Sequence, residues 1–434
     1  MTAIKINKRR LLALVDTFMI FINLSTSYSI VPYILFTPNR YINAIIITIL
    51  TITYTIFRFK PSLFIRGHSA FKIYVCLHLL CCITAYFTNT GVSSAIVYLI
   101  TNVSFFYLLY YVYRYNHKIG GNQAAIMSVI KPYLVITSIT LFGCAVMFTL
   151  LKMGFNPMKN DISFKYDLFS DNATKFLASY YYPFYISIVE TNSIDIRIPF
   201  FQDTGFITGI YHEPHTMTFM TFPALFLMLF LFRRKKKFQW IVVILYVLQL
   251  SLASSTTNIA AFLLCIIAFL LYTFKSSLYK SIGLLLFLSL CVIVIVSTVD
   301  MTLFDFIFKK IESGSMTYSM STIDFALKPR TIFGTSFFNL GYLNVGSDAA
   351  RMDVGYIPFI MNILFLTTCI YYMAKLFQSK SKFKLSLLLT CIYFFAHSAK
   401  VAMVAYSLTM LIYVVFLAFT TTQLSDKEEI FDVQ

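Results

Sequence analysis

Acidic side chains are nearly missing from this sequence: 18 stand among 434 residues, against 35 lysines and arginines. Charged residues of both signs make up 12%, where a soluble domain carries about 25%. A water-soluble core inside a charged shell is therefore excluded. Glycine (14) and proline (11) are also few, so the chain is neither collagen-like nor low-complexity. The eight cysteines, at 76, 81, 82, 144, 265, 291, 369 and 391, form no Cys-x-x-Cys pair and imply no thiolate metal site. All of them fall in apolar runs, away from the polar segments where a disulfide framework would sit. No internal repeat is visible, which argues against a transporter built from duplicated halves.

What remains is apolar. Hydrophobic residues make up 59% of the chain and the mean hydropathy is +0.76. A bilayer core about 30 Å thick needs roughly 20 mainly apolar residues per helix. Such runs recur at Leu11–Phe36, Ile42–Phe57, Phe71–Phe87, Val92–Tyr113, Pro132–Leu151, Met217–Phe232, Gln239–Ala253, Thr256–Phe274, Ile282–Val299, Val354–Phe377, Phe383–Ala396 and Val401–Phe419. The pattern predicts an all-α polytopic integral membrane protein of about twelve transmembrane helices, forming a single membrane domain over 1–434. The N-terminal run is too long for a cleaved leader and lacks a small-x-small site, so it reads as a signal-anchor helix.

Lysine and arginine set the orientation. With both termini inside, the inner segments carry Lys5, Lys8, Arg9 and Arg10, then Arg58, Lys60 and Arg66, then Arg114 and Lys118. Further on they carry Arg233–Lys237, Lys275 and Lys280, and the basic run Lys375–Lys384. None of the inner connecting loops holds an Asp or Glu. The net charge of +17 is then topology plus attraction to anionic membrane lipid, and calls for no nucleic acid.

Two long segments, 152–216 and 300–353, face outward in this arrangement and hold thirteen of the 18 acidic residues. Outer loops of such length are usually functional. Outward-facing arginines are few: Arg40, Arg197, Arg330 and Arg351. Planar guanidinium groups suit bidentate phosphate recognition, so Arg197, Arg330 and Arg351 are candidate ligands of a polyanionic head group. Loop–loop ion pairing is the alternative.

The densest ionisable cluster is His212-Glu213-Pro214-His215, where the first long loop re-enters the membrane. A His/Glu group at that edge can act as general base toward a hydroxyl. A helix cap through Glu213-Pro214 is compatible with that role. No third ligand at useful spacing accompanies the His-x-x-His, and no metal site is assigned. Asp353, at the start of another re-entering helix, reads as a cap or a catalytic carboxylate. His397 and Lys400 form an ionisable pair in a short outer turn, a further candidate site. Asp16 reads as a packing contact within the first helix. The tyrosines in 180–185 suit either sugar stacking or an interfacial aromatic belt.

Four segments resemble the bacterial O-antigen polymerase (Wzy) family, within the wider O-antigen ligase-like superfamily. Gly205-Phe206-Ile207-Thr208-Gly209-Ile210-Tyr211-His212-Glu213-Pro214-His215 is similar to a Gly-x-x-x-Glu/Asn-Pro-His/Asn element ahead of a helix. Ser254-Ser255-Thr256-Thr257 is similar to a Ser-rich break between helices. Arg330 through Gly341 matches an Arg-x10-Gly pattern, and Asp353-Val354-Gly355-Tyr356 an Asp-x-Gly opening. The first loop departs from the pattern, because Gly209 follows Arg197 one position late. The ligases' histidine in the second large loop has no counterpart here.

The resemblance implies a GT-C-like glycosyltransferase of the bacterial inner membrane, multi-pass, with both termini cytoplasmic and both large loops periplasmic. It implies no metal or other cofactor. The donor would be a glycan on undecaprenyl diphosphate, the acceptor another lipid-linked repeat unit, and a chain-length regulator protein a further partner. Arg197, Arg330 and Arg351 would hold the diphosphate, with Glu213, His215 or Asp353 as the base. The competing expectations are an O-antigen ligase and a polysaccharide flippase or other transporter.

Overall fold

The computed structural model describes residues 8–27, 29–36, 40–60, 92–165, 175–189, 204–211, 213–231, 235–253, 256–273 and 384–397, besides 62, 72, 76, 282–283, 407–408, 410–412 and 414–415. Helices predominate among them: α1 (Lys8–Thr26), α2 (Val31–Leu35), α3 (Arg40–Arg58), α4 (Val92–Lys152), α5 (Pro214–Leu231), α6 (Lys236–Ala253), α7 (Thr256–Thr273) and α8 (Lys384–His397). Four strands lie between α4 and α5 in sequence: β1 (Lys159–Lys165), β2 (Lys175–Tyr181), β3 (Ile186–Val189) and β4 (Phe206–Gly209). Three described stretches are long and apolar enough to cross a membrane, Ala124–Lys152, Pro214–Leu231 and Lys236–Ala253. The expected spans Phe71–Phe87, Ile282–Val299, Val354–Phe377 and Val401–Phe419 lie wholly or largely outside the described residues, as does the whole of 300–353.

The helices follow the apolar runs, with three local departures. The first run divides into α1 and α2. At the break Thr26 Oγ1 donates to the Ile22 carbonyl at 2.6 Å, and Ser29 Oγ donates to the Ser25 carbonyl. Hydroxyls bonded back in this way compete with the helical ladder. The second departure is α4, where helix also occupies the basic segment expected as a loop between two spans. The interruption is at Gly121, whose φ of 75° and ψ of −171° are open to glycine and costly to other residues. The third corrects the all-α expectation: between 159 and 209 the chain forms a sheet of order β1-β2-β3-β4, antiparallel at β2–β3 and β3–β4. Its strands are short, and β1 is polar, so no long apolar run announces them.

The chain forms two compact units, one from 1–139, 163–176 and 404–434, the other from 140–162 and 177–403. In the first, Asp16 of α1 meets Arg58 of α3. Arg58 Nη2 donates to Oδ2 at 2.6 Å and Nε to Oδ1 at 3.2 Å, and the Tyr54 hydroxyl donates to Oδ1 at 2.7 Å. The guanidinium carbon also lies 4.8 Å from the Tyr111 ring centre and 5.3 Å from that of Tyr115. Two donor groups and two aromatic faces thus satisfy a charge pair that is 3% (Asp16) and 7% (Arg58) exposed. Asp16 is a packing contact, as its sequence position suggests.

In the second unit α5 is buried on nearly every side. Its Phe222 ring meets Tyr246 of α6 (5.3 Å), Phe262 of α7 (5.2 Å) and Tyr393 of α8 (5.7 Å). Pro223 in α5 offers no N–H to the carbonyl one turn back. Close by, the Tyr246 hydroxyl donates to the Thr221 carbonyl at 2.7 Å and the Tyr393 hydroxyl to the Thr218 carbonyl at 3.1 Å. Tyr393 also meets Asn258 Oδ1, and Ser386 Oγ donates to the Phe226 carbonyl at 2.7 Å. This core is joined by neutral hydroxyls. In an apolar bundle such polar contacts fix helix pairing.

Of the described cysteines, Cys76, Cys144 and Cys265 are free thiols. The only tryptophan of the chain, Trp240, is on α6 and 67% exposed.

Candidate functional site

Strand β4 leads the chain into α5, and its two flanking glycines fix that path. Gly205 and Gly209 both have a φ of 64°. A Cβ at Gly205 would stand 2.9 Å from Ile188 Cγ2, and one at Gly209 only 2.5 Å from Thr140 Cγ2 and 3.1 Å from Cys144 Sγ. The glycines therefore permit both the turn and the close seating of the strand on β3 and α4. Register is set by Ile188 opposite Ile207 and Val189 opposite Phe206. Thr208 is completely buried, and its hydroxyl reaches the Tyr211 carbonyl at 2.6 Å and the Ser187 carbonyl at 3.2 Å. Tyr211 is 2% exposed, and burial pushes its phenol above the usual tyrosine range. A rigid, buried pedestal thus precedes the ionisable residues.

Helix α5 begins at Pro214, whose ring suits the first helical position. The Glu213 carbonyl accepts the N–H of Met217 at 3.0 Å, which makes Glu213 the capping residue. The positive end of the helix favours its carboxylate. Two residues on, His215 Nε2 lies 2.9 Å from Glu213 Oε2. The side chains are 12% (His215) and 15% (Glu213) exposed, with Oε2 itself buried. A carboxylate at this distance orients the imidazole. The arrangement places a carboxyl and an imidazole side by side at a partly sheltered surface.

The structure brings together Glu213 and His215 of the residues singled out from sequence. His397 is the last residue of α8. His212, Arg197, Arg330, Arg351, Asp353 and Lys400 lie outside the described residues. Among the described residues no group of three or more His, Cys, Asp or Glu side chains gathers. Sequence reading missed the support provided by Thr208 and Tyr211. The signal for it was the Gly205/Gly209 spacing around a short Phe-Ile-Thr run.

A second feature lies on the β2–β3 turn. The rings of Tyr180, Tyr182 and Tyr185 form a closed cluster with centroid separations of 5.9, 5.9 and 4.7 Å. The Tyr182 hydroxyl hydrogen-bonded to Tyr185 raises the Tyr185 phenol above its usual range. On the neighbouring strand Ser179 Oγ donates to Asp161 Oδ1 at 2.6 Å, and this bond, with Lys159 alongside, holds the Asp161 carboxyl below the ordinary range.

No family model, curated protein or solved structure matches this chain.

Proposed function

We propose that this chain is a glycan polymerase of the bacterial inner membrane that joins oligosaccharide repeat units carried on undecaprenyl diphosphate. The observation that supports it best is the Glu213–His215 pair at 2.9 Å, capping an apolar helix where a long polar loop ends. In this reading about twelve helices span the bilayer, both termini are cytoplasmic, and 152–216 and 300–353 are periplasmic loops. The resemblance of the four sequence segments supports the same assignment.

The chemistry is a single displacement. A hydroxyl oxygen of the acceptor glycan attacks the anomeric carbon of the donor glycan. The new glycosidic C–O bond forms as the C–O bond to the diphosphate breaks, and that bond's electrons leave with undecaprenyl diphosphate. The hydroxyl proton passes to the Glu213–His215 pair. Arg197, Arg330 and Arg351 supply positive charge where the diphosphate leaves, and Asp353 is the further candidate base.

The test is to supply the purified protein, in sealed proteoliposomes, with a lipid-linked repeat unit and with lipid A–core. A ladder of longer lipid-linked products is expected. Transfer of a single glycan to lipid A–core would identify a ligase, and translocation without elongation a flippase. Either result, or no reaction, overturns the proposal.

A further inference from the structure

Tyr185 is a bulky residue with a φ of 52°. Such residues rarely adopt the left-handed region, and strain of this kind persists where the surrounding structure imposes it, often at ligand sites. Tyr185 is 39% exposed and the adjoining Phe184 46%. Tyr180 and Tyr182 pack beside Tyr185, so the turn presents an aromatic surface already held in one shape.

The neighbouring strand shows which solvent this surface meets. Lys159 and Asp161 on β1 are 44% and 42% exposed and form a 3.5 Å ion pair. In the sheet order β1 pairs on one side only among the described residues. An exposed ion pair is incompatible with hydrocarbon, where charged side chains are costly. The turn is tied to this watery edge, since the Tyr182 N–H donates to the Met158 carbonyl at 3.1 Å, immediately before β1. An aromatic belt dipping into lipid would not be anchored there.

We propose that Tyr180, Tyr182 and Tyr185 form a carbohydrate-binding platform for a pyranose ring of the glycan substrate. The apolar C–H face of a pyranose matches an aromatic ring, and its hydroxyls match the phenols. Tyrosine provides such amphipathic contact area at low conformational cost. The ligand class rests on the polymerase reading, but binding can be measured without turnover.

The experiment uses the full chain in nanodiscs, titrated with oligosaccharides freed by mild acid from the lipid-linked glycans of the source cell. Saturation-transfer NMR reads contact at the sugar C–H protons. Binding is expected in the wild type and should weaken about tenfold or more in Tyr185→Gly. Glycine accepts the φ of 52°, so this variant removes the ring while easing the turn. Tyr185→Phe keeps the ring and should retain most of the affinity. Phe184→Cys, compared with wild-type background, should react readily with a charged maleimide.

Wild-type chain that binds none of the oligosaccharides, or Tyr185→Gly that binds them unchanged, overturns the platform. So does a Phe184→Cys thiol shielded by the bilayer, which would make the cluster a membrane anchor. Sugar binding that depends on Tyr185, with no chain extension, supports the platform and removes only the polymerase reading. Extension that is intact in Tyr185→Gly with unchanged binding removes only the platform.

Discussion

Among the described residues, a sheltered carboxylate meets a nitrogen side chain at close range in two places that differ in character. Asp16 and Arg58 pair at 2.6 Å, with Tyr54 hydrogen-bonded to the carboxylate and two further tyrosine rings around the guanidinium. Glu213 and His215 pair at 2.9 Å, where a strand turns into a helix. The first pair is sealed inside a helix bundle. The second keeps a small contact with the surface. The difference teaches that burial of charge does not mark a site by itself. A pair wrapped by a further hydroxyl donor and two aromatic faces holds helices together, while a pair at a helix start beside the surface is placed where a ligand can reach it.

The largest expected effect comes from breaking the second pair. His215→Ala or Glu213→Gln should reduce chain extension by roughly 10²–10⁴-fold, the range for loss of a positioned acid–base group. The thermal transition of the protein, followed by circular dichroism in detergent, should move little. An equal collapse of fold and activity would put this pair in the same class as the first.

Breaking the first pair should do the reverse. Asp16→Ala leaves a buried guanidinium unpaired and should destabilise by about 3–5 kcal/mol. Replacing both partners together, Asp16→Leu with Arg58→Met, should recover most of that loss, because an apolar pair avoids the uncompensated charge. A double variant as unstable as the single one would show that the pair has a role beyond helix packing.

Gly209→Ala tests the pedestal under the second pair. A left-handed backbone costs a non-glycine residue about 1–2 kcal/mol, and a Cβ 2.5 Å from Thr140 Cγ2 adds an overpacking cost of about 1–3 kcal/mol. Loss of stability should come with loss of extension, as β4 is lifted off α4 and the start of α5 shifts. Unchanged melting and activity would mean that the strand can reseat.

The smallest effect concerns Asp161. Its carboxyl is held low by Ser179 and Lys159, so its support of the β1–β2 pairing is complete above the unfolded carboxylate value near about 3.9. That support is lost as pH falls through the lower folded value. Hydrogen-exchange protection factors in 175–181, corrected for the intrinsic pH dependence of exchange, should therefore be flat around neutral pH and fall only under strong acid. A fall beginning near neutrality would point to a different group.

Helix positions were the most legible part of the sequence, because a long apolar run has few alternatives. Even there the apolar run opens only at Met217, and it is the Glu213-Pro214 cap, also read from the sequence, that starts α5 one turn earlier. Capping chemistry decided the boundary, and hydropathy could not see it. Arg58 was read as one of many inner-loop charges. Its link to Asp16 depends on two helices meeting, and no local pattern encodes that. The sheet was hidden for a similar reason: Lys159–Lys165 is a polar heptapeptide that becomes a strand only by pairing with residues beyond it. The Glu213–His215 pair was legible because both side chains stand at one helix end, where spacing alone brings them close.

Trp240 has a practical consequence. With one indole in the whole chain, intrinsic emission excited at the red edge comes from a single address on α6. A wavelength shift would report the polarity around that position, and quenching by brominated lipid its depth. The protein therefore carries its own optical probe, and the placement of this helix in a bilayer can be read without attaching any label.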